Sequence, residues 1–478
     1  MSWNRGRWWY QLAQVCQRWR NLILGSSSYL RISLVCTNGT PVANMLAHSP
    51  LALLPLTVDY VGQDGISAED EEGILLALEQ RHRVRHIRLL FPVQNLQNLV
   101  MAIDDEFPIL EYMIIEHRHD NLDNDNNLND TVLMLPETLQ APDLHHLALN
   151  GFACPMRSPL HPTAVGLVTL SLVITCLSAY FQPNVLLQWV SFMPQLERLD
   201  IQFTFPVPNR DVERQLTHML ITTHVTLPNL RMFCFRGVSA YLEAVVCRIT
   251  TPRLEILQIQ FFEQLTFRLP RLLQFMNMLE NFGFDNAAIE FGDKVIDVLM
   301  FFSRADKQAW HAFGVRVDCW HLDWQVSSMA QISNALRQVF SAVEYLLLRP
   351  LRHNVHDQSS EEHNNVGRIE WRKLLRSFSN VKTLRVEDGL VEELSRCLRL
   401  EDGELPLELL PELHELIYYG SRDAGDSFSS FIEARENAGR PVTLDHRSPR
   451  PRSPESSSDE DESAITSASG EAGNDADA

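Results

Sequence analysis

At 478 residues with a net charge of −20, the chain is long enough for two or three ordinary domains, or for one array grown by repetition. The acidic balance excludes a nucleic-acid backbone as the main partner, because phosphate neutralisation needs clustered Lys and Arg. No run of about 18 uncharged apolar residues crosses a membrane, Arg5, Arg7, Arg18 and Arg20 interrupt any secretory signal, and eight scattered cysteines without a C-x-x-C pair read as reduced thiols of an intracellular protein, cytoplasmic or nuclear.

The first predicted element is a helix over "LAQVCQRWRNLIL". Leu12, Val15, Cys16, Trp19 and Ile23 form an apolar stripe at helical spacing, opposite Gln14, Gln17, Arg18 and Asn21. Such a stripe must pack on something. Two short strand patterns follow, "YLRISL" from Tyr29 and "LLPLTV" from Leu53. Pro55 in the second removes a ladder donor, so an edge strand is expected there.

From Val84 onward one pattern recurs: apolar-x-x-apolar-x-apolar. It reads "VRHIRL", "LEYMII", "LHHLAL", "LVTLSL", "LERLDI" and "LRMFCF", then "LEILQI", "LENFGF", "AFGVRV", "VEYLLL", "VKTLRV" and "LHELIY". The period is irregular, about thirty residues. Several copies are introduced by one turn, "APDL", "MPQL", "LPNL", "TPRL" or "LPEL", in which proline closes the preceding segment. Between copies lie stretches apolar at helical spacing, such as "EEGILLALEQ", "NVLLQWVSF", "AYLEAVVCRI", "PRLLQFMNML", "AQISNALRQVF", "WRKLLRSF" and "VEELSRCLRL".

A strand followed by a helix, repeated, predicts an α/β fold of the leucine-rich-repeat-like solenoid type, with parallel strands on the concave face and helices outside. An ordinary doubly wound sheet also alternates strands and helices, but about twelve strands exceed what such sheets hold without curling or splitting. With side chains alternating along each strand, the concave face is expected to carry Thr169, Ser171 and Val173; Arg198, Asp200 and Gln202; Met232, Cys234 and Arg236; Ile256, Gln258 and Gln260. Further on come Gly314, Arg316 and Asp318; Tyr345, Leu347 and Arg349; Thr383, Arg385 and Glu387. Mixed Arg, Asp and Gln suit protein recognition by hydrogen bonds and ion pairs, and Arg198, Arg236 and Arg316 are candidates to receive a phosphorylated peptide.

Catalytic machinery is not legible. There is no G-x-S-x-G elbow, no P-loop and no G-x-G-x-x-G, so no catalytic residue and no cofactor is assigned. "DNDNNLNDTVLM" from Asp123 begins like a calcium loop, but Leu128 stands where glycine is required and Met134 where a bidentate acid is required. His82 with His86 sit about 13 Å apart if extended, and His145 and His146 point to opposite faces, so no zinc site is expected. Trp320 and Trp324 in "DCWHLDWQ" read as apolar wedges between repeats, with an aromatic contact site as the other use. After about Val442 the composition turns to Ser, Pro, Asp and Glu. Residues 447–478 are therefore expected to be a disordered acidic tail, in which Ser456, Ser457 and Ser458 each have an acid three residues on and are candidate phosphorylation sites.

"LAQVCQRWRNLILGSSSYLRISL" resembles the second half of an F-box, with Leu12, Val15, Cys16, Trp19, Arg20, Leu22 and Ile23 in the pattern's places. From there through "LLPELHELIYYGS" and "SFIEARENAGRPVTL" the chain, roughly residues 8 to 446, resembles the F-box proteins with irregular leucine-rich repeats found in basidiomycete fungi. The family's opening Leu-Pro motif is not found; only "MSWNRGRWWYQ" stands before Leu12, so a shortened F-box is expected. The resemblance implies three regions: partial F-box helices over 1–28, the solenoid over 29–446 and the tail over 447–478. It also implies a non-enzymatic substrate-recognition subunit of a ubiquitin ligase, monomeric within its complex. The N-terminal residues would pack as a small helical domain on a Skp-type adaptor of a cullin ligase, while the repeats hold a protein substrate. The alternative is a protein-binding scaffold no longer coupled to a ligase.

Overall fold

The computed structural model describes residues 15–25, 32–47, 54–62, 65–117, 133–153, 158–204, 223–262, 264, 266–279, 282–302, 312–350, 364–387, 389–399, 405, 407–419 and 428–447. Sixteen strands in these segments build one sheet. In chain order they are β1 (Leu34–Cys36), β2 (Leu56–Val61), β3 (Val84–Phe91), β4 (Tyr112–His117), β5 (His146–Asn150), β6 (Thr169–Ile174), β7 (Arg198–Phe203) and β8 (Met232–Gly237). Then come β9 (Ile256–Phe261), β10 (Asn286–Phe291), β11 (Val295–Phe301), β12 (Phe313–Asp318), β13 (Tyr345–Pro350), β14 (Thr383–Val386), β15 (Glu415–Tyr419) and β16 (Thr443–Arg447). Two further pairs of two-residue strands, 133–134 with 152–153 and 225–226 with 249–250, flank it.

The proline turn that introduces five of the repeats explains their register. In "APDL", "MPQL", "LPNL", "TPRL" and "LPEL" the leucine N–H donates to the carbonyl three residues back: Leu144 to Ala141, Leu196 to Met193, Leu230 to Leu227, Leu254 to Thr251 and Leu413 to Leu410, at 3.0 to 3.3 Å. Proline second in the turn presets the φ a type I turn needs. The leucine drops into the core, and the strand begins two residues later. Along each strand, alternate residues are then buried: Leu199, Ile201 and Phe203 on β7, Phe233 and Phe235 on β8, Leu257, Ile259 and Phe261 on β9.

The first helix, α1 (Gln17–Gly25), exposes its described side chains. The helices that cover the buried side of the sheet include α2 (Val42–Ala47), α3 (Ala68–Leu78), α4 (Val93–Met101), α5 (Pro183–Val190), α6 (Ser239–Val246), α7 (Pro270–Asn277), α8 (Leu322–Ala335), α9 (Asn364–Leu375), α10 (Val391–Leu398) and α11 (Ser429–Asn437). Neighbours touch in chain order, α2 on α3, α5 on α6, α6 on α7, α8 on α9 and α9 on α10. Aromatic side chains fill the layer between, as where the Tyr241 ring of α6 meets Phe203 at 4.9 Å and Phe235 at 5.8 Å between centroids. Glu243 of α6 accepts from the backbone N–H groups of Arg271 and Leu272 at 2.9 and 2.7 Å, capping the first turn of α7 from the adjacent repeat.

The spatial order of strands breaks from chain order once. It runs β1 through β9, then β12, β11, β10, then β13 through β16. All pairings are parallel except β10 with β11 and β11 with β12. The chain leaves β9, skips two places to lay down β10, turns at Gly292, Asp293 and Lys294, and fills the gap backwards.

Three sequence expectations are corrected here. The rung expected from "LENFGF" lies later, at Asn286–Phe291, because a hairpin with a Gly-Asp turn replaces the simple repeat. β2 is an interior strand paired to both β1 and β3; Pro55 precedes it, and its carbonyl accepts the Leu34 N–H at 2.8 Å, so the missing donor falls outside the ladder. Trp320 and Trp324 are exposed rather than wedged between repeats, because they lie in and just after the turn that leads from β12 into α8.

Candidate functional site

The strand face away from the helices carries the other alternate set of side chains, and the register aligns them in rows running across the strands. One row is polar without interruption over seven neighbouring strands: Gln202 on β7, Arg236 on β8, Gln260 on β9, Arg316 on β12, Asp297 on β11, Glu290 on β10 and Arg349 on β13. A second row beside it holds Ser171, Asp200, Cys234, Gln258 and Gly314. A third holds Thr57, His86, Tyr112, His146, Thr169, Arg198, Met232 and Ile256.

Charges along the polar row are locked in pairs. Arg316 clamps Asp297 through two bonds, Nε to Oδ1 at 2.6 Å and Nη2 to Oδ2 at 2.8 Å. Arg349 Nη2 donates to Glu290 Oε1. Arg236 Nη2 and Gln260 Nε2 both donate to Asp318, at 3.3 and 2.9 Å. Glu290 and Asp297 stand directly opposite each other in the antiparallel pair, an arrangement that repels and that the flanking arginines offset. In the second and third rows, Asp200 accepts from Gln202 at 3.0 Å and lies 3.8 Å from Arg198. Gln258 lies over Gly314, where a Cβ would collide with its Oε1. Arg385 pairs with Glu387 at 3.1 Å and stacks over Tyr419 at 4.5 Å.

The strand alternation therefore places Arg198, Asp200, Gln202, Arg236, Gln258, Gln260, Arg316, Asp318, Arg385 and Glu387 on the face where the sequence predicted them. It does not leave Arg198, Arg236 and Arg316 as a bare anion cluster, since each already holds a carboxylate. Sequence reasoning missed Asp297 and Glu290, which sit on the two strands outside the repeat pattern. The signal that finds them is "NAAIEFGDKVIDVLMF", a β-rich run with a Gly-Asp turn at its centre.

Nucleophilic chemistry on this face is disfavoured at Cys234, whose thiol is pushed up to about 12 by burial, with Asp200 adding to the effect. Among the described residues no group of three or more His, Cys, Asp and Glu suits a metal ion, and no helix is long and apolar enough to cross a membrane.

On the third row His86 meets Tyr112 edge-on at 5.9 Å, and Tyr112 meets His146 at 5.5 Å. Burial holds His86 below its ordinary value, against the opposing pull of Glu111, and burial lowers His146 likewise. The unfolded chain therefore takes up protons first as pH falls below about 6.5. Their contribution to stability is whole above that pH and is lost as pH falls through it. Urea unfolding midpoints are expected to fall between pH 7.5 and 5.5, and the double substitution His86→Gln, His146→Gln is expected to flatten that slope; an unchanged slope would show that these rings do not carry it.

At the N-terminus, Val15, Cys16, Trp19, Arg20 and Leu22 are all exposed on or beside α1, with Trp19 50 % accessible. Of the predicted apolar stripe, Val15, Cys16 and Trp19 are thus presented to solvent among the described residues. Leu12, the side chain of Ile23, and Ser456, Ser457 and Ser458 lie outside the described residues, as does the chain beyond Arg447. Neither a protein-family model nor a curated protein matches the chain.

Proposed function

We propose that this chain is a non-catalytic recognition subunit in which the uncovered sheet face, the inner side of a leucine-rich-repeat-like solenoid, grips a protein substrate. The observation that carries this reading is the polar row from Gln202 to Arg349, unbroken over seven strands. A sheet face of this width that no helix among the described residues covers, lined with side chains already oriented by one another, loses little conformational freedom on binding. Polar groups with fixed direction favour specificity over bulk affinity.

The resemblance to F-box proteins extends the proposal: the exposed Val15, Trp19 and Leu22 would dock on a Skp-type adaptor and bring the bound substrate to a cullin ligase. Exposed large apolar side chains on a short helix fit such a contact. The test is capture by the full chain. Purified adaptor should be retained at micromolar protein, and Trp19→Asp should release it while leaving substrate capture intact. Replacing Gln202, Arg236 and Gln260 together by alanine should do the reverse. No retention of the adaptor would leave the chain as a binding scaffold without ligase coupling; unchanged substrate capture by the triple variant would remove the sheet face as the recognition surface.

A further inference from the structure

We infer that the polar row selects an extended acidic segment of its partner, laid across the strands with carboxylates against Arg236, Arg316 and Arg349. This rests on the reading of the sheet face as a polypeptide-binding surface and names what that surface prefers.

The argument starts from which half of each ion pair faces outward. The Arg316 side chain is 51 % exposed over an Asp297 that is 6 % exposed, and the Arg349 side chain is 41 % exposed over a Glu290 that is 7 % exposed. Arg198 repeats the arrangement beside the row, 48 % exposed against 8 % for Asp200. In these three pairs the acid lies at the floor and the guanidinium group at the surface, so each is close to neutral as a whole yet points its positive end outward. Arg236 and Asp318 are equally exposed, at 31 % each, and Arg236 joins the set by its place in the row and its spare donors. A chain of net charge −20 thus presents arginine along the middle of this face.

The buried carboxylate also aims its arginine. Asp297 engages Nε and Nη2 of Arg316 and leaves Nη1 to point elsewhere; Glu290 takes one Nη of Arg349 and Asp318 one Nη of Arg236. A guanidinium carries five donors in a rigid plane, so each of these three arginines keeps donors for a ligand. Groups that only accept hydrogen bonds suit them, and a carboxylate does so with charge assistance. A basic segment would meet guanidinium groups first and be repelled.

Spacing makes the preference specific. Arg236 and Arg316 are two strands apart and Arg316 and Arg349 three, which is about 10 Å and about 14 Å at the usual inter-strand distance of ~4.8 Å. An extended peptide rises ~3.3 Å per residue and points only alternate side chains to one face, so acids that face the row together should fall about four residues apart at each step, the long arginine side chains taking up the remainder.

The experiment uses the full chain and fluorescent peptides built on an alternating Ser/Thr backbone. One carries Asp at that spacing, one carries Asn at the same places, one clusters the Asp residues together, and one carries Lys. The spaced Asp peptide is expected to bind at least about tenfold more tightly than the Asn peptide, more tightly than the clustered one, and the Lys peptide not at all. Arg349→Gln should remove part of the Asp peptide's advantage over the Asn peptide, and Arg236→Gln, whose acid partner is more exposed and so safer for folding, should do the same. Equal affinity for Asp and Asn, preference for the Lys peptide, or no binding of any Asp peptide at millimolar concentration overturns the inference. Those outcomes leave the polypeptide-binding reading to its own test, the capture experiment with the triple alanine variant.

Discussion

Replacing Arg435 with alanine should destabilise the C-terminal end of the sheet by about 3–5 kcal/mol, the sum of a large cavity and two orphaned carbonyls. The Arg435 side chain belongs to α11 and is fully buried. Its Nη2 donates to the Pro411 carbonyl at 3.1 Å and to the Leu413 carbonyl at 2.9 Å, tying the helix to the turn that launches β15. Burial lowers its pKa, with Arg440 adding and Glu412 opposing, so the charge is held at a cost. Methionine at this position fills most of the volume and removes the buried charge, and it is expected to lose less than alanine. Hydrogen exchange of residues 411–447 reads the effect directly, since loss at the end of a repeat array need not unfold the rest. Protection unchanged in the alanine variant would show that α11 is held by its apolar contacts alone.

The second large effect is an asymmetry within one ion pair. Arg316→Met leaves Asp297 buried and directly opposite Glu290, with Arg349 the remaining cation of the four-residue group. Stranding a buried charge costs ~3–5 kcal/mol; because Arg316 is half exposed and water screens part of the loss, about 2 kcal/mol is expected. Asp297→Asn should cost well under that, since the arginine it releases can turn into solvent. The double variant should recover most of the Arg316→Met loss, and urea unfolding of the four proteins gives the coupling. Equal costs for the two single substitutions would mean that Asp297 is better solvated than its burial indicates.

Much of the fold is legible in the sequence where one local rule repeats. Proline in the second place of the turn, a leucine two residues later and apolar residues on alternate strand positions act at short range, so each copy of "LPNL" or "TPRL" announces its own strand. The face assignment of Arg198, Asp200, Arg236 and Arg316 follows from the same alternation. Legibility fails where pairing is decided over long range. Leu279 opens the same apolar hexad as Leu254 but lacks the proline turn before it, and the hexad alone does not show that the placement of β11 between β10 and β12 makes Asn286–Phe291 the rung. The acidic partners of Arg316 and Arg349 were hidden for that reason. Whether a side chain at a strand-to-helix turn is covered, as for Trp320, depends on the neighbouring connection, which periodicity does not report.

The reversed trio β10, β11 and β12 has a consequence for assembly. In a simple repeat array each new unit docks on the one made just before it, so order can spread from any starting point along the chain. Here β9, docked on β8 along one edge, has no neighbour on its other edge until residues 313–318 arrive, and β13 docks not on the strand before it in the chain but on β10. Residues 256 to 350 must therefore close as one cooperative block, with its loop-closure entropy met before the ladder is rewarded. The two flanking arms can zip residue by residue; the block between them is the keystone that decides whether they share a single sheet.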